Sequence, residues 1–267
     1  MNLYNKITPE GTRDLLFEAC AARRLAEEKL EEVFASHGYQ EAVTPGGEFY
    51  YVFDPHRSGI SQEVLYKMSD PKGRLLVLRP DTTTPIARLA ATRLQNMEKP
   101  MRFYYSQPIY RNNPSLTGRS NETMEAGVEL LGAGGRRADI EAVALAVQAM
   151  ESCLPGFRME IGHAGFFRAL AAELPITEEE REELRSTIES KNYAALSTLL
   201  EGLEDSPAVR AMGRLPRLFG GAEVIDEALA LCPGEEAREP LQYLKSLYES
   251  LRALGLGDRM MVDLGLV

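Results

Sequence analysis

Cysteine is scarce in this chain and badly placed for a covalent role. Cys20, Cys153 and Cys232 are odd in number, far apart and never in a Cys-x-x-Cys pair, which excludes a disulfide framework or a zinc knuckle as the basis of the fold and points to a reducing cytoplasm. Long apolar runs are also missing. The longest, residues 142–147, falls far short of the ~18 residues a membrane span needs, and Lys6, Glu10, Arg13 and Asp14 stand where an export signal would be apolar. Neither export nor membrane anchoring is expected. Positive charge is in deficit: 30 Lys plus Arg against 40 Asp plus Glu give −10, the wrong sign for a chain whose main task is gripping a phosphate backbone. His-Glu-x-x-His, Gly-x-Ser-x-Gly and Walker patterns are absent, and His37, His56 and His163 share no ligand-type spacing. No metal, no cofactor and no hydrolase triad is therefore expected.

What is present suits a globular protein. At 267 residues, 44% hydrophobic and 26% charged, the chain can bury one large core or two modest ones without staples. Residues 14–37 carry Ala22, Ala26, Leu30, Val33 and Phe34 at spacings of three and four, which predicts a helix ended by Gly38. Residues 64–69 and 74–78 flank Asp70-Pro71-Lys72-Gly73, a type I turn in a hairpin. Thr84 then caps a helix whose first residue is Pro85 and which runs to Leu94. Residues 101–110 and 123–131 read as strands around a polar loop, and another helix follows Asp139. Gly132-Ala133-Gly134-Gly135 lacks the third glycine of a dinucleotide fingerprint, since position 137 is Arg, and is read as a turn. Beyond Gly162 the composition shifts to Glu-rich helical patterns at 177–190, 193–200 and 240–254. Nine acidic and three basic residues between 177 and 205 give 3 − 9 = −6, the mark of a solvated face.

Two constellations carry chemistry. On the strand 123–131 the period of two puts Thr123, Glu125, Gly127 and Glu129 on one face and Met124, Ala126, Val128 and Leu130 on the other, which is expected to be buried. Glu125 and Glu129 flank side-chain-free Gly127. That face either holds a small ligand with a donor at each end or is the solvated outside of an antiparallel sheet. Residues 99–119 hold Lys99, Arg102, Arg111 and Arg119 and no acidic residue, which points to an anion. Phe103, Tyr104, Tyr105 and Tyr110 lie in the same stretch and fit either a strand core or base stacking. His163 reads as a structural junction, not a base.

The order of these segments resembles a known family. Pro9-Glu10-Gly11-Thr12-Arg13-Asp14, then Leu78-Arg79-Pro80-Asp81-Thr82-Thr83-Thr84, then Arg102-Phe103-Tyr104-Tyr105 through Tyr110-Arg111 and Gly118-Arg119 to Gly127-Val128-Glu129 closely resemble histidyl-tRNA synthetase. The resemblance implies an α+β fold: a class II synthetase-like antiparallel sheet flanked by helices, with a helical insertion domain and a sheet truncated at its C-terminal end. It implies a synthetase-like core over 1–163, the insertion over 164–258 and the start of a returning core strand over 259–267. It assigns Asp81 and Thr83 to a ligand α-amino group, Arg111 to a carboxylate or α-phosphate, and Glu129 to an imidazole. Glu125 falls where the synthetase uses Gln at the α-amino group, and Asp81 where it uses Glu.

The departures lie in the adenylation machinery. Arg-x-Glu becomes Arg111-Asn112-Asn113, a second loop Arg becomes Asn121, and the Phe after it becomes Thr123. Loss of such donors costs several kcal/mol where phosphate charge develops. Residues 260–265 resemble the strand leading into the synthetase's histidine loop, and neither that loop, the third motif nor an anticodon-binding domain is in the sequence. A synthetase-like core altered in this way is similar to the regulatory subunits of ATP phosphoribosyltransferase. That family implies a cytoplasmic, non-catalytic dimer that joins a short-form catalytic subunit in a hetero-oligomer at the first step of histidine biosynthesis, with histidine as effector and no tRNA or membrane partner. The alternatives are a fragment of an active histidyl-tRNA synthetase and a dimerisation module with an empty pocket.

Overall fold

A computed structural model describes residues 6–54, 58–114 and 118–266, and the chain divides into two compact units. The first comprises Met1–Ala138 with Gln148–Cys153, the second Asp139–Val147 with Leu154–Val267. Among the described residues no helix is long and apolar enough to cross a membrane. His56 lies outside the described residues.

The first unit opens with helix α1, Phe17–Ser36. It starts three residues after Asp14 because Leu16 is extended and Phe17 takes a φ of 47°; no side chain caps it. Gly38 follows at φ 79°, a conformation open to glycine at no steric cost. Strand β1 (Gln40–Glu41) then runs parallel to a long later strand, while β2 (Gly47–Phe49), β3 (Lys67–Ser69) and β4 (Leu75–Leu78) form an antiparallel sheet in the order β2-β4-β3. The β3–β4 turn is the expected one: Gly73 N donates to Asp70 O, and the Asp70 carboxylate accepts from the N–H groups of Lys72 and Arg74. Helix α2 spans Thr83–Thr92. It begins two residues before the expected Pro85 because Asp81 accepts from both N and Oγ1 of Thr84, satisfying a first-turn donor from outside the helix.

Strand β5 is Met101–Tyr110 and β6 is Glu122–Leu131, paired antiparallel with Gln107 opposite Glu125, Tyr105 opposite Gly127 and Phe103 opposite Glu129. The sheet order is β1-β5-β6, so among the described residues β6 is its edge. Directly opposed residues share a face. Met101, Phe103 and Tyr105 are core with Ala42 and Ile86, so the inner face of β6 is the one with Glu125, Gly127 and Glu129. The expected burial of Met124, Ala126, Val128 and Leu130 is overturned: none is buried and Ala126 is exposed. Their face of the ribbon carries Tyr104, packed on Phe34 of α1 with ring centroids 6.0 Å apart. A buried polar knot joins the end of β4 to β5. Arg79, 4% exposed, donates to the carbonyls of Pro108 and Thr44, and Gln107 bonds both N and Oγ1 of Thr44.

Helix α3, Arg136–Cys153, starts after Gly135 at φ 80°; the Gly-rich stretch before it is a turn, as expected. The second unit adds β7 (Met159–Ile161), α4 (Ala164–Ala172), α5 (Glu178–Glu189), α6 (Tyr193–Glu201), α7 (Pro207–Arg214), β8 (Phe219–Gly220), α8 (Glu223–Leu231), α9 (Glu235–Ala253) and β9 (Met260–Asp263). Strand β9 lies between β7, parallel, and β8, antiparallel. Residues 159–161 and 260–263 fall in the same compact unit as the helices between them, and that unit starts before the change in composition at Gly162. A continuous apolar core includes Leu170, Leu241, Leu244 and Leu251, all essentially inaccessible, each contributing about 1.5–3 kcal/mol. Helix α9 begins five residues before Pro240, anchored by fully buried Ala237.

Candidate functional site

The acidic face of β6 and the segment leading into α2 are tied together by hydrogen bonds. Thr82 N donates to Glu125 Oε2 at 3.1 Å, and Thr83 Oγ1 donates to Glu129 Oε1 at 2.6 Å. Arg111, at the end of β5, donates through Nε to the Pro80 carbonyl at 2.8 Å. All five residues expected from the sequence, Asp81, Thr83, Arg111, Glu125 and Glu129, thus meet on one short strap and the ribbon below it. Gly127 lies between the two glutamates, as the strand period requires.

The site is strongly acidic. Three carboxylates, Asp81, Glu125 and Glu129, gather here, while Arg79 interacts with Glu125 from below and Arg111 is tied to the Pro80 carbonyl, so the excess of negative charge favours a cationic ligand. Burial raises the Glu129 carboxyl above the ordinary range, Thr83's hydrogen bond opposes that, and the charges of Asp81 and Glu125 add to it. A cation seated beside Glu129 reverses the balance by stabilising its charged form. Arg111 is exposed, so its guanidinium is accessible to an anionic group. An α-amino acid with a basic or N–H-bearing side chain matches this pattern at three points.

Two contributors were not among the expected residues. Tyr105 stands over Gly127, and its phenol is pushed up to about 12 by burial first and then by Glu125 and Glu129. Its signal in the sequence was its place on the odd-numbered positions of β5, which only the register converts into a position opposite Gly127. Thr82 is completely buried, and its Oγ1 has no hydrogen-bond partner.

The basic residues of 99–119 disperse. Lys99 lays its stem on Gly132, Arg111 holds the strap, and Arg119 lines a separate cavity of about 510 Å³ with Arg13, Glu10 and Asn113. Asn121, at the floor of that cavity, spends every hydrogen-bonding group on structure. Its N and Nδ2 donate to the carbonyls of Gly11 and Glu10, its Oδ1 accepts from Asn113 N, and its O accepts from Arg111 N. His163 caps α4 by accepting from Gly165 N, and burial holds its imidazole below the ordinary value. Among the described residues no group of three or more His, Cys, Asp and Glu side chains is arranged to hold a metal ion.

With this geometry established, comparison with known proteins is direct. A family profile described as histidyl-tRNA synthetase matches residues 11–267. The chain is 38% identical over 268 residues to the ATP phosphoribosyltransferase regulatory subunit of Clostridium kluyveri, covering 99% of this chain and 68% of that protein. It is 40% identical over 271 residues to the protein of the same name from Bacillus mycoides, covering 100% and 64%. A crystal structure described as an ATP phosphoribosyltransferase regulatory subunit/histidyl-tRNA synthetase, from Bacillus halodurans, superposes with a TM-score of 0.91 at 32% identity, covering 100% of this chain and 70% of that one. The chain spans about two thirds of the length of the curated relatives it matches.

Proposed function

The chain belongs to the family of ATP phosphoribosyltransferase regulatory subunits on the histidyl-tRNA synthetase fold, and from that premise we propose that it is a non-catalytic subunit supporting and feedback-regulating the first step of histidine biosynthesis. In this reading it dimerises, joins the short-form ATP phosphoribosyltransferase catalytic subunit in the cytoplasm, and takes histidine as effector in the acidic pocket. Glu129 holds the imidazole, Asp81, Thr83 and Glu125 the ammonium, and Arg111 the carboxylate. Histidine must bind two assembly states with different affinity, because only such a difference moves an equilibrium. Residues 1–163 serve as the synthetase-like core, 164–258 as its inserted helical domain, and 259–267 as the start of a returning core strand.

The observation that supports a regulator over an adenylate-forming enzyme is Asn121. A neutral amide wholly engaged by Glu10, Gly11, Asn113 and Arg111 offers nothing to developing phosphate charge. The test is made on the full-length protein. Mixed with the short-form catalytic subunit, it should raise phosphoribosyl transfer and make it inhibitable by histidine, while histidine-dependent ATP–pyrophosphate exchange stays at background. Exchange at synthetase-like rates would establish the enzyme reading instead.

A further inference from the structure

The two faces of the β7-β9-β8 sheet are built differently. Ile161 and Val262, side by side in the parallel pair, belong to the core, so the neighbouring positions Glu160 and Asp263 turn to the other face. Phe219 of β8 stands opposite Asp263 and shares that face. With Lys191 and Tyr193, from the junction of α5 and α6, they line a recess of about 230 Å³, room for one side-chain head group and less than a drug-sized ligand needs. Asp263 is only 8% exposed, and its carboxylate takes a single hydrogen bond among the described residues, Oδ1 accepting from Gly265 N at 2.8 Å. Its Oδ2 is left without a donor, and among the described residues neither Asp263, Glu160 nor Lys191 is engaged in an ion pair. A carboxylate held this far out of water without a cation is costly. The two rings beside it, Tyr193 and Phe219, stay 47% and 46% exposed.

We propose that this recess is a binding site for a guanidinium group. A guanidinium is planar, weakly hydrated and forked, so it lies against aromatic faces while donating edge-on to carboxylates. A compact, strongly hydrated ammonium makes poor use of the two rings. Asp263 Oδ2 takes one arm of the fork, and Glu160, on the neighbouring strand at the open side, takes another. Tyr193 and Phe219 hold the plane. Lys191 at the rim repels a second cation and favours a ligand whose guanidinium is followed, a few bonds away, by an anionic group, as in free arginine. The site shares no residue with the acidic face of β6 and stands whether or not that face takes histidine.

The experiment is calorimetric titration of the full-length protein in excess histidine, which keeps the probes out of any amino-acid site on β6. Free L-arginine and Nα-acetyl-arginine N-methylamide should both bind, and citrulline, with a neutral urea of nearly the same shape, should not. Asp263→Asn keeps the acceptor for Gly265 N and removes the charge. Glu160→Gln, at an exposed position, does the same at the open side and supplies the readout if Asp263→Asn does not fold. Each should weaken binding about tenfold to a hundredfold, the range for hydrogen bonds to charged groups. Equal affinity for the two arginine probes would identify the source as an arginine side chain of a partner polypeptide. Tighter binding of free arginine, lost in Lys191→Gln, would identify a small molecule; either result upholds the site. No binding of either arginine probe at millimolar concentration, equal binding of citrulline, or affinity unchanged in Glu160→Gln and in folded Asp263→Asn would overturn it.

Discussion

The chain concentrates negative charge in two places and builds them in opposite ways. Along α5, Arg181 pairs with Glu178, and Arg185 pairs with Glu182 and Glu189. These are mostly solvent-exposed i,i+3 and i,i+4 pairs of modest worth. Arg185 holds the Glu182 carboxyl below the ordinary range. Around the acidic face of β6, Asp81, Glu125 and Glu129 are held by hydroxyl and amide donors and form no ion pair, and burial raises Glu129. The number of acidic residues therefore says little about function. What distinguishes the pocket is carboxylate charge held partly out of water without a full counter-charge, an arrangement that costs stability until a cation arrives.

The strongest way to break this contrast is Glu129→Gln, which keeps shape and removes charge. Histidine binding should weaken by roughly 1.5 to 3 kcal/mol, the range for hydrogen bonds to charged groups, while the ligand-free protein becomes more stable near neutral pH. Calorimetry and thermal unfolding read the two effects, and unchanged histidine affinity would mean that the effector acts elsewhere. Arg111→Ala should cost about 1 kcal/mol of affinity for amino acids in general without altering the preference for histidine; a changed preference, measured by competition titration, would contradict its assignment to the carboxylate.

The two clusters should also differ in the sign of their pH dependence. Glu129, raised in the folded state, contributes stability in full below its unfolded pKa and loses it as pH rises through its folded pKa. Glu182, lowered, contributes above its unfolded pKa and loses that contribution as pH falls through its folded pKa. Denaturant unfolding of the ligand-free protein between acid and neutral pH should show the Glu129 contribution vanish in Glu129→Gln, and an identical pH profile for variant and wild type would refute it. The smallest expected effect is Arg185→Ala: about 0.3–0.5 kcal/mol of stability for each exposed pair lost, with histidine binding untouched.

Much of this was legible in the sequence. The Asp70 turn, both limits of β5 and the helical pattern beginning at Thr177 follow from local chemistry, and the grouping of Glu125, Gly127 and Glu129 follows from the strand period. Which side of β6 faces inward did not follow, because periodicity separates two faces without saying which is covered. The usual rule, apolar side in, fails on β6, where the side facing the core carries Glu125 and Glu129. Tyr105 escaped for a related reason. Its position over Gly127 depends on pairing across a twelve-residue separation of chain ends, from Tyr110 to Glu122, and a strand tyrosine by itself reads as core.

Asn121 and Gly11 constrain each other. The Asn121 side chain packs against Gly11 so closely that a Cβ there would fall 2.4 Å from Cγ, with Gly11 at φ 71°. Asn121 stands where the resemblance to the synthetase places an arginine, and its hydrogen bonds to the carbonyls of Glu10 and Gly11 tie it to that segment. A longer side chain at position 121 has to displace the Gly11 segment packed against it. Asn121→Arg alone should therefore loosen residues 10–12, seen as faster amide exchange there, and bring no adenylate formation; arginine accepted with full protection would contradict this mutual constraint.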